Sequence, residues 1–184
     1  MPFTLAHPAA VVPLARLLGK RVVFSALVIG SITPDVSYLV PGLTRGPSHS
    51  LPGLFWFCLP VGLAFYLLFH LLLKRPLAAA LPPRLREAVA PLIARTPALP
   101  PARWLTVVLC LFLGALTHIV WDLFTHPGPI VRALPVLTVN LATVGWYRVY
   151  VYKVLQHGST LLGLALLARW TRAWLHEVSV RPGV

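Results

Sequence analysis

From Leu51 to Leu73 the chain carries no Lys, Arg, Asp or Glu, and Lys74-Arg75 end the stretch. A run of this kind meets the requirement of roughly 20 apolar residues for an α-helix crossing a hydrocarbon core. Three others resemble it. Trp104 to about Phe124 follows Arg103, Val22 to about Val40 follows Lys20-Arg21, and about Val154 to Trp170 runs into Arg169 and Arg172. All four are too long and unbroken for barrel strands. The expected fold class is therefore all-α, a polytopic membrane helical bundle with about four full transmembrane helices. A short N-terminal helix over 5–18, about 20 Å long, would have to thin the bilayer or re-enter it.

Composition agrees with this. Of 184 residues, 58% are hydrophobic and 11% charged, and the mean hydropathy is +0.80. A soluble domain carries about a quarter charged residues. One membrane domain over 1–184 is expected, with helices at roughly 5–18, 22–40, 51–73, 104–126 and 154–176. The 74–103 loop is Pro- and Arg-rich, with room for a short amphipathic helix around Leu85–Ile93. Trp146, Tyr147, Tyr150 and Tyr152 in segment 127–153 suit a membrane interface. The net charge of +12 fits inward-facing loops and anionic lipid, so membrane lipid is the expected partner and nucleic acid is not. Cys58 and Cys110 sit at different depths and make no metal spacing, so both are read as buried apolar residues. MPFTLAHPAA has no basic n-region and is not read as a cleavable signal.

Orientation follows from the basic residues. With the 74–103 loop and the C-terminus cytoplasmic, Arg16, Lys20, Arg21, Lys74, Arg75, Arg84, Arg86, Arg95, Arg103, Arg169, Arg172 and Arg181 face inward. Only Arg45, Arg132, Arg148 and Lys153 stand outside.

On that scaffold the polar residues share a depth. At about 1.5 Å per helical residue, His7, Asp35, His118 and His157 each stand about 21–23 Å above the inner basic ring. Asp122 and His126 continue the face of His118 at i+4 and i+8. His49, just before its span, can fold back to the same level. His70 lies off this layer and is read as structural, and His176, beyond the last span, as solvated.

A carboxylate inside a span costs about 2.5–3.5 kcal/mol on insertion scales, and such groups are usually paired and functional. Two of the four acids, Asp35 and Asp122, are placed this way. Imidazole with carboxylate is a ligand set of zinc and its borderline relatives. The expected metal residues are thus His7, Asp35, His49, His118, Asp122, His126 and His157. Asp35, His118 and Asp122 are the catalytic candidates. Arg45, Arg132, Arg148 and Lys153 are candidates for an anionic substrate or for plain interfacial anchoring.

The phrases MPFTLAHPAAVVPL, ALVIGSITPD, SHSLPGLFWFCLPVGL, LGALTHIVWDLFTHPG and VLQHGSTLLGLALL resemble domain-of-unknown-function family 4184, uncharacterised bacterial membrane proteins, over nearly the whole chain. The order His, Asp, His, HxxxD, His, His is similar to the ligand order of zinc-dependent phospholipase C and of membrane-bound metal-dependent hydrolases. That resemblance implies a hydrolase of phosphoesters or lipid head groups at the extracytoplasmic face of a bacterial inner membrane. It also implies one to three divalent ions, zinc first. The sequence departs from the pattern at HGSTL, where Leu161 stands four residues after His157 and a Glu would be expected. Gln156, Ser159, Thr160 or water would have to complete that position. The other functional classes open to the same residues are a metal or proton transporter, a bis-histidine haem protein and a structural His/Asp cluster.

Overall fold

A computed structural model describes residues 3–39, 42, 45–94 and 101–180. Val40, Arg95, Arg181 and loop residues 96–100 lie outside the described residues.

The chain is a helical bundle with one small hairpin. After a 3-10 turn at Thr4–Ala6, α1 spans Pro8–Leu18. It opens on Pro8, whose missing N–H costs nothing in a first helical turn. It ends at Gly19, whose φ of +57° is the left-handed geometry that glycine accepts most easily. Helix α2 spans Phe24–Ile32 and tightens at Thr33–Leu39 into a 3-10 run. Pro34 falls in the tightened run and supplies no N–H to the ladder.

Helix α3 runs unbroken over Leu51–Ala79. Its α-helical ladder slips to π geometry at Leu54–Cys58 and Phe69–Leu73. Lys74-Arg75 is the expected end of this element, but neither residue breaks a helix, and α3 continues about one turn beyond them to Ala79. Helix α4 covers Pro83–Ala94 and α5 Pro101–Thr125. After the one-turn α6 at Pro129–Ala133, β1 (Asn140–Val144) pairs antiparallel with β2 (Tyr147–Tyr150). Helix α7 then runs over Val151–Val180.

The fold is all-α as expected, with this one hairpin added. Gly145, at φ +60°, sits first in the two-residue turn, where a hairpin needs positive φ. Thr-Val before the turn and Tyr-Arg-Val-Tyr after it alternate as strands do.

Among the described residues two helices are long and apolar enough to cross a membrane, Leu51–Ala79 and Arg103–Thr125. Helix α7 is longer, but Gln156, His157, Ser159 and Thr160 dilute its first half. Phe24–Leu39 is apolar but short.

Among the described residues, α2 and α5 form the most extensive helix–helix contact. A Cβ at Gly30 would lie 2.2 Å from the carbonyl oxygen of Leu111, and one at Gly114 would lie 2.2 Å from that of Leu27. The backbones therefore touch, and small residues at the crossing are what permit it. Around it Val11, Ala26, Leu27, Tyr66, Val107, Cys110 and Leu111 form the buried core. A second core of Leu54, Phe57, Cys58, Ala115 and Ile119 joins α3 to α5. Both cysteines are free and buried. By contrast Leu51, Phe55, Trp56, Leu71 and Leu72 of α3 are exposed, an apolar face that a hydrocarbon solvent would cover.

Candidate metal centre

The site is assembled by three local devices at one end of the bundle. The first is Pro34. In a 3-10 run the carbonyl of Ser31 would accept from residue 34, and proline has no N–H to give. That carbonyl instead accepts from Nδ1 of His118 on α5, at 2.7 Å. A carbonyl only accepts, so Nδ1 of His118 carries a proton and Nε2 is the ring nitrogen left to face the carboxylates. The same tightened run holds Asp35, whose Oδ2 accepts the hydroxyl of Thr4 at 2.6 Å.

The second device is the SHSLPG segment before α3. Ser50 caps α3, its Oγ accepting from Gly53 N at 3.1 Å. A Cβ at Gly53 would lie 2.0 Å from the Pro47 carbonyl oxygen, so the chain doubles back tightly here. The buried Ser48 hydroxyl donates to Ser37 Oγ at 2.9 Å, pinning the loop to the 3-10 run. His49 Nδ1 then lies 2.9 Å from Ser48 Oγ and 3.2 Å from the Arg45 carbonyl. Nδ1 donates to the carbonyl, which leaves Nε2 as the nitrogen turned toward the carboxylates.

The third device is the i, i+4 step along α5, which sets Asp122 above His118. Four atoms now converge. His49 Nε2 is 3.3 Å from Asp35 Oδ1 and 3.4 Å from Asp122 Oδ2. His118 Nε2 is 3.4 Å from Asp35 Oδ1 and 3.5 Å from Asp122 Oδ2. All four ligand atoms lie within 4.8 Å of one another. Zinc–ligand bonds of about 2.0–2.2 Å in a tetrahedron put ligand atoms roughly 3.3–3.6 Å apart, the spacing of these four nitrogen–oxygen pairs. Nε2 of both histidines is buried without a hydrogen-bond partner. Buried polar atoms without a hydrogen-bond partner are costly, and a cation shared with the carboxylates would satisfy them. The Asp35/His49/His118/Asp122 group can hold a metal ion.

His7 and His126 flank this group. The ring of His7 stacks on that of His118 at 3.6 Å between centroids, and its unpartnered Nε2 is 3.9 Å from Asp122 Oδ1. His126 Nδ1 is 3.3 Å from the same oxygen. On its far side the amide nitrogen of Gln156 lies 3.2 Å from His126 Nε2. A donor there leaves the His126 proton on Nδ1, toward Asp122. Arg45 Nη2 pairs with Asp122 Oδ2. A cleft of about 300 Å³ opens beside the group, walled by Arg45, His49, Asp122 and His126 with Ile119, Leu123 and Ile130.

Six of the seven expected ligands therefore meet in one place, and His157 does not. It is exposed and faces a separate groove with Tyr147, Lys153 and Leu161. One residue earlier on a helix is a rotation of about 100°, and it is Gln156 that turns inward. Ser159 and Thr160 are engaged elsewhere, accepting from Trp121 Nε1 and from the Phe3 N–H. Of the four outward bases only Arg45 reaches the group. Arg132 and Arg148 are exposed, and Lys153 Nζ lies 4.9 Å over the Tyr147 ring. His70, away from the site, meets Ser25 Oγ at 2.9 Å. Thr4 and the Ser31 carbonyl were not foreseen. Pro34 beside Asp35 was their one signal in the sequence.

No curated protein and no solved structure matches the chain. A family model described as "Domain of unknown function (DUF4184)" matches residues 1–182, and the chain belongs to that family.

Proposed function

We propose that this is a membrane-embedded, metal-dependent hydrolase of phosphoester or lipid head-group substrates. On this reading it works at the extracytoplasmic face of a bacterial inner membrane, with four helices spanning. The observation that carries the reading is the ring of four buried atoms, alternately imidazole nitrogen and carboxylate oxygen, 3.3–3.5 Å apart at the edge of a cleft. Two neutral imidazoles and two carboxylates form a neutral complex with a divalent ion, and zinc suits that donor set best. Asp122 Oδ1, facing the unpartnered Nε2 of His7, leaves room for further ions, up to three in all. A divalent ion in such a site supplies a Lewis acid and a water nucleophile active at neutral pH.

The chain's own residues do the rest. The Ser31 carbonyl and the Arg45 carbonyl aim the two imidazoles. Thr4, bonded to Asp35 Oδ2, holds the carboxylate so that Oδ1 faces the two imidazoles. His126, fixed by Gln156, steadies Asp122. Arg45 offers a planar fork suited to a phosphoryl group. Conduction through the bundle is less well supported, because the fully buried Leu27 and Leu111 occupy α2 and α5 between this group and the Ser25–His70 pair.

The test is hydrolysis by detergent-purified protein of phosphomonoesters, phosphodiesters and phospholipids, with and without zinc. Metal-dependent phosphate or head-group release that Asp122→Asn abolishes is expected. Metal-loaded protein that hydrolyses none of these classes would contradict the catalytic reading.

A further inference from the structure

Arg45 stands in a position that the metal reading alone leaves unexplained. Its guanidinium pairs with Asp122 Oδ2, which is also one corner of the four-atom ring. Among the described residues it is the only Lys or Arg with an ion pair to this group. Its side chain is 27% exposed, so it reaches the carboxylate from the cleft side and not through the core. Its Nε is buried without a partner. Asp122 is the one carboxylate in the cleft wall, so an Arg45 released from it has no second acid in the cleft to settle on.

A divalent cation within about 2 Å of Asp122 Oδ2 would stand very close to that guanidinium, and two positive charges repel strongly at such range in a poorly hydrated site. Both cannot hold the same oxygen.

Building on the metal site above, we propose that Arg45 is an exchangeable counter-charge, which yields Asp122 to the cation and then serves as the anion-binding group of the cleft. Two linked consequences follow. Arg45 competes with metal when no anion is present. A phosphoryl-type anion relieves the competition by giving the displaced guanidinium a partner, so metal and anion tighten each other's binding by the same factor.

The measurement is a Co2+ titration followed by visible absorption, with and without phenylphosphonate, on wild-type protein and on Arg45→Gln. In the wild type the phosphonate should tighten Co2+ about tenfold, within the usual range of coupling between sites. In Arg45→Gln, Co2+ should bind about tenfold tighter than in the wild type without phosphonate, and the coupling should vanish. Arg45→Lys, which keeps the charge but loses the fork, should bind Co2+ no tighter than the wild type and couple more weakly.

If Arg45→Gln binds Co2+ more weakly, or the wild type shows no coupling, Arg45 merely supports Asp122 and the exchange is refuted while the metal site stands. If the wild type binds no Co2+, the metal site and the exchange fall together. The wild-type coupling needs no variant, so a Gln substitution that fails to fold still leaves a deciding result.

Discussion

His118 Nδ1 donates to the carbonyl of Ser31 at 2.7 Å across the α2–α5 contact, and that carbonyl is available because residue 34 is a proline. A backbone irregularity on one helix thereby sets the tautomer of a ligand on another. Such outer contacts to metal-binding histidines typically contribute 10–100-fold in affinity.

Pro34→Ala tests this link directly. An N–H at position 34 gives the Ser31 carbonyl a partner on its own helix and takes it from His118. Metal affinity should fall about 10–100-fold, with helical content by circular dichroism unchanged or slightly raised. Unaltered metal affinity would separate the proline from the site.

Packing behind the site should be unforgiving. Gly30→Ala and Gly114→Ala each place a methyl about 2 Å from a backbone oxygen of the facing helix, where no side chain can step aside. Each is expected to cost more than about 2 kcal/mol, as overpacked contacts do. Lower melting temperatures in detergent would register it. Gly158→Ala, with nothing near its Cβ position, is the control and should melt like the wild type.

Metal retention should depend on pH in one direction. The ligands act as neutral imidazoles and ionised carboxylates, so acid competes with metal. Retention should be greatest at alkaline pH and lost progressively as the pH falls. Equilibrium dialysis at a series of pH values would check it, and retention that improves on acidification would contradict the ligand set.

Orientation can be read by labelling in intact cells. Val144 at the hairpin turn is 70% exposed, and Glu87 on α4 is exposed, while both native cysteines are buried. A membrane-impermeant maleimide should modify Val144→Cys from outside and leave Glu87→Cys untouched until the cells are opened. The reverse pattern would invert the proposed topology.

Much of this was legible in the sequence, and the reasons are specific. Depth along a helix follows from residue count, so His7, Asp35 and His118 could be set at one level without coordinates. Rotation about the helix axis does not follow from count, and α7 shows no strong amphipathic pattern to fix it. His157 was therefore expected inside, where Gln156 is. Loop closure is invisible for another reason. Arg45 reaches Asp122 only because Ser48 bonds to Ser37 and Gly53 lets the chain double back, and these contacts span elements. The hairpin was legible in principle from Val-Gly-Trp between alternating segments. Its aromatic residues fit an interfacial segment equally well, and that reading prevailed.

Metal content bears most directly on the central claim. Purified protein, prepared without added chelator and analysed for elements, should carry at least one equivalent of a divalent transition metal per chain, zinc first. Asp122→Ala with His118→Ala should remove it, and His157→Ala should leave it in place. Wild-type protein with no metal above background, unable to take up zinc on dialysis, would contradict the account.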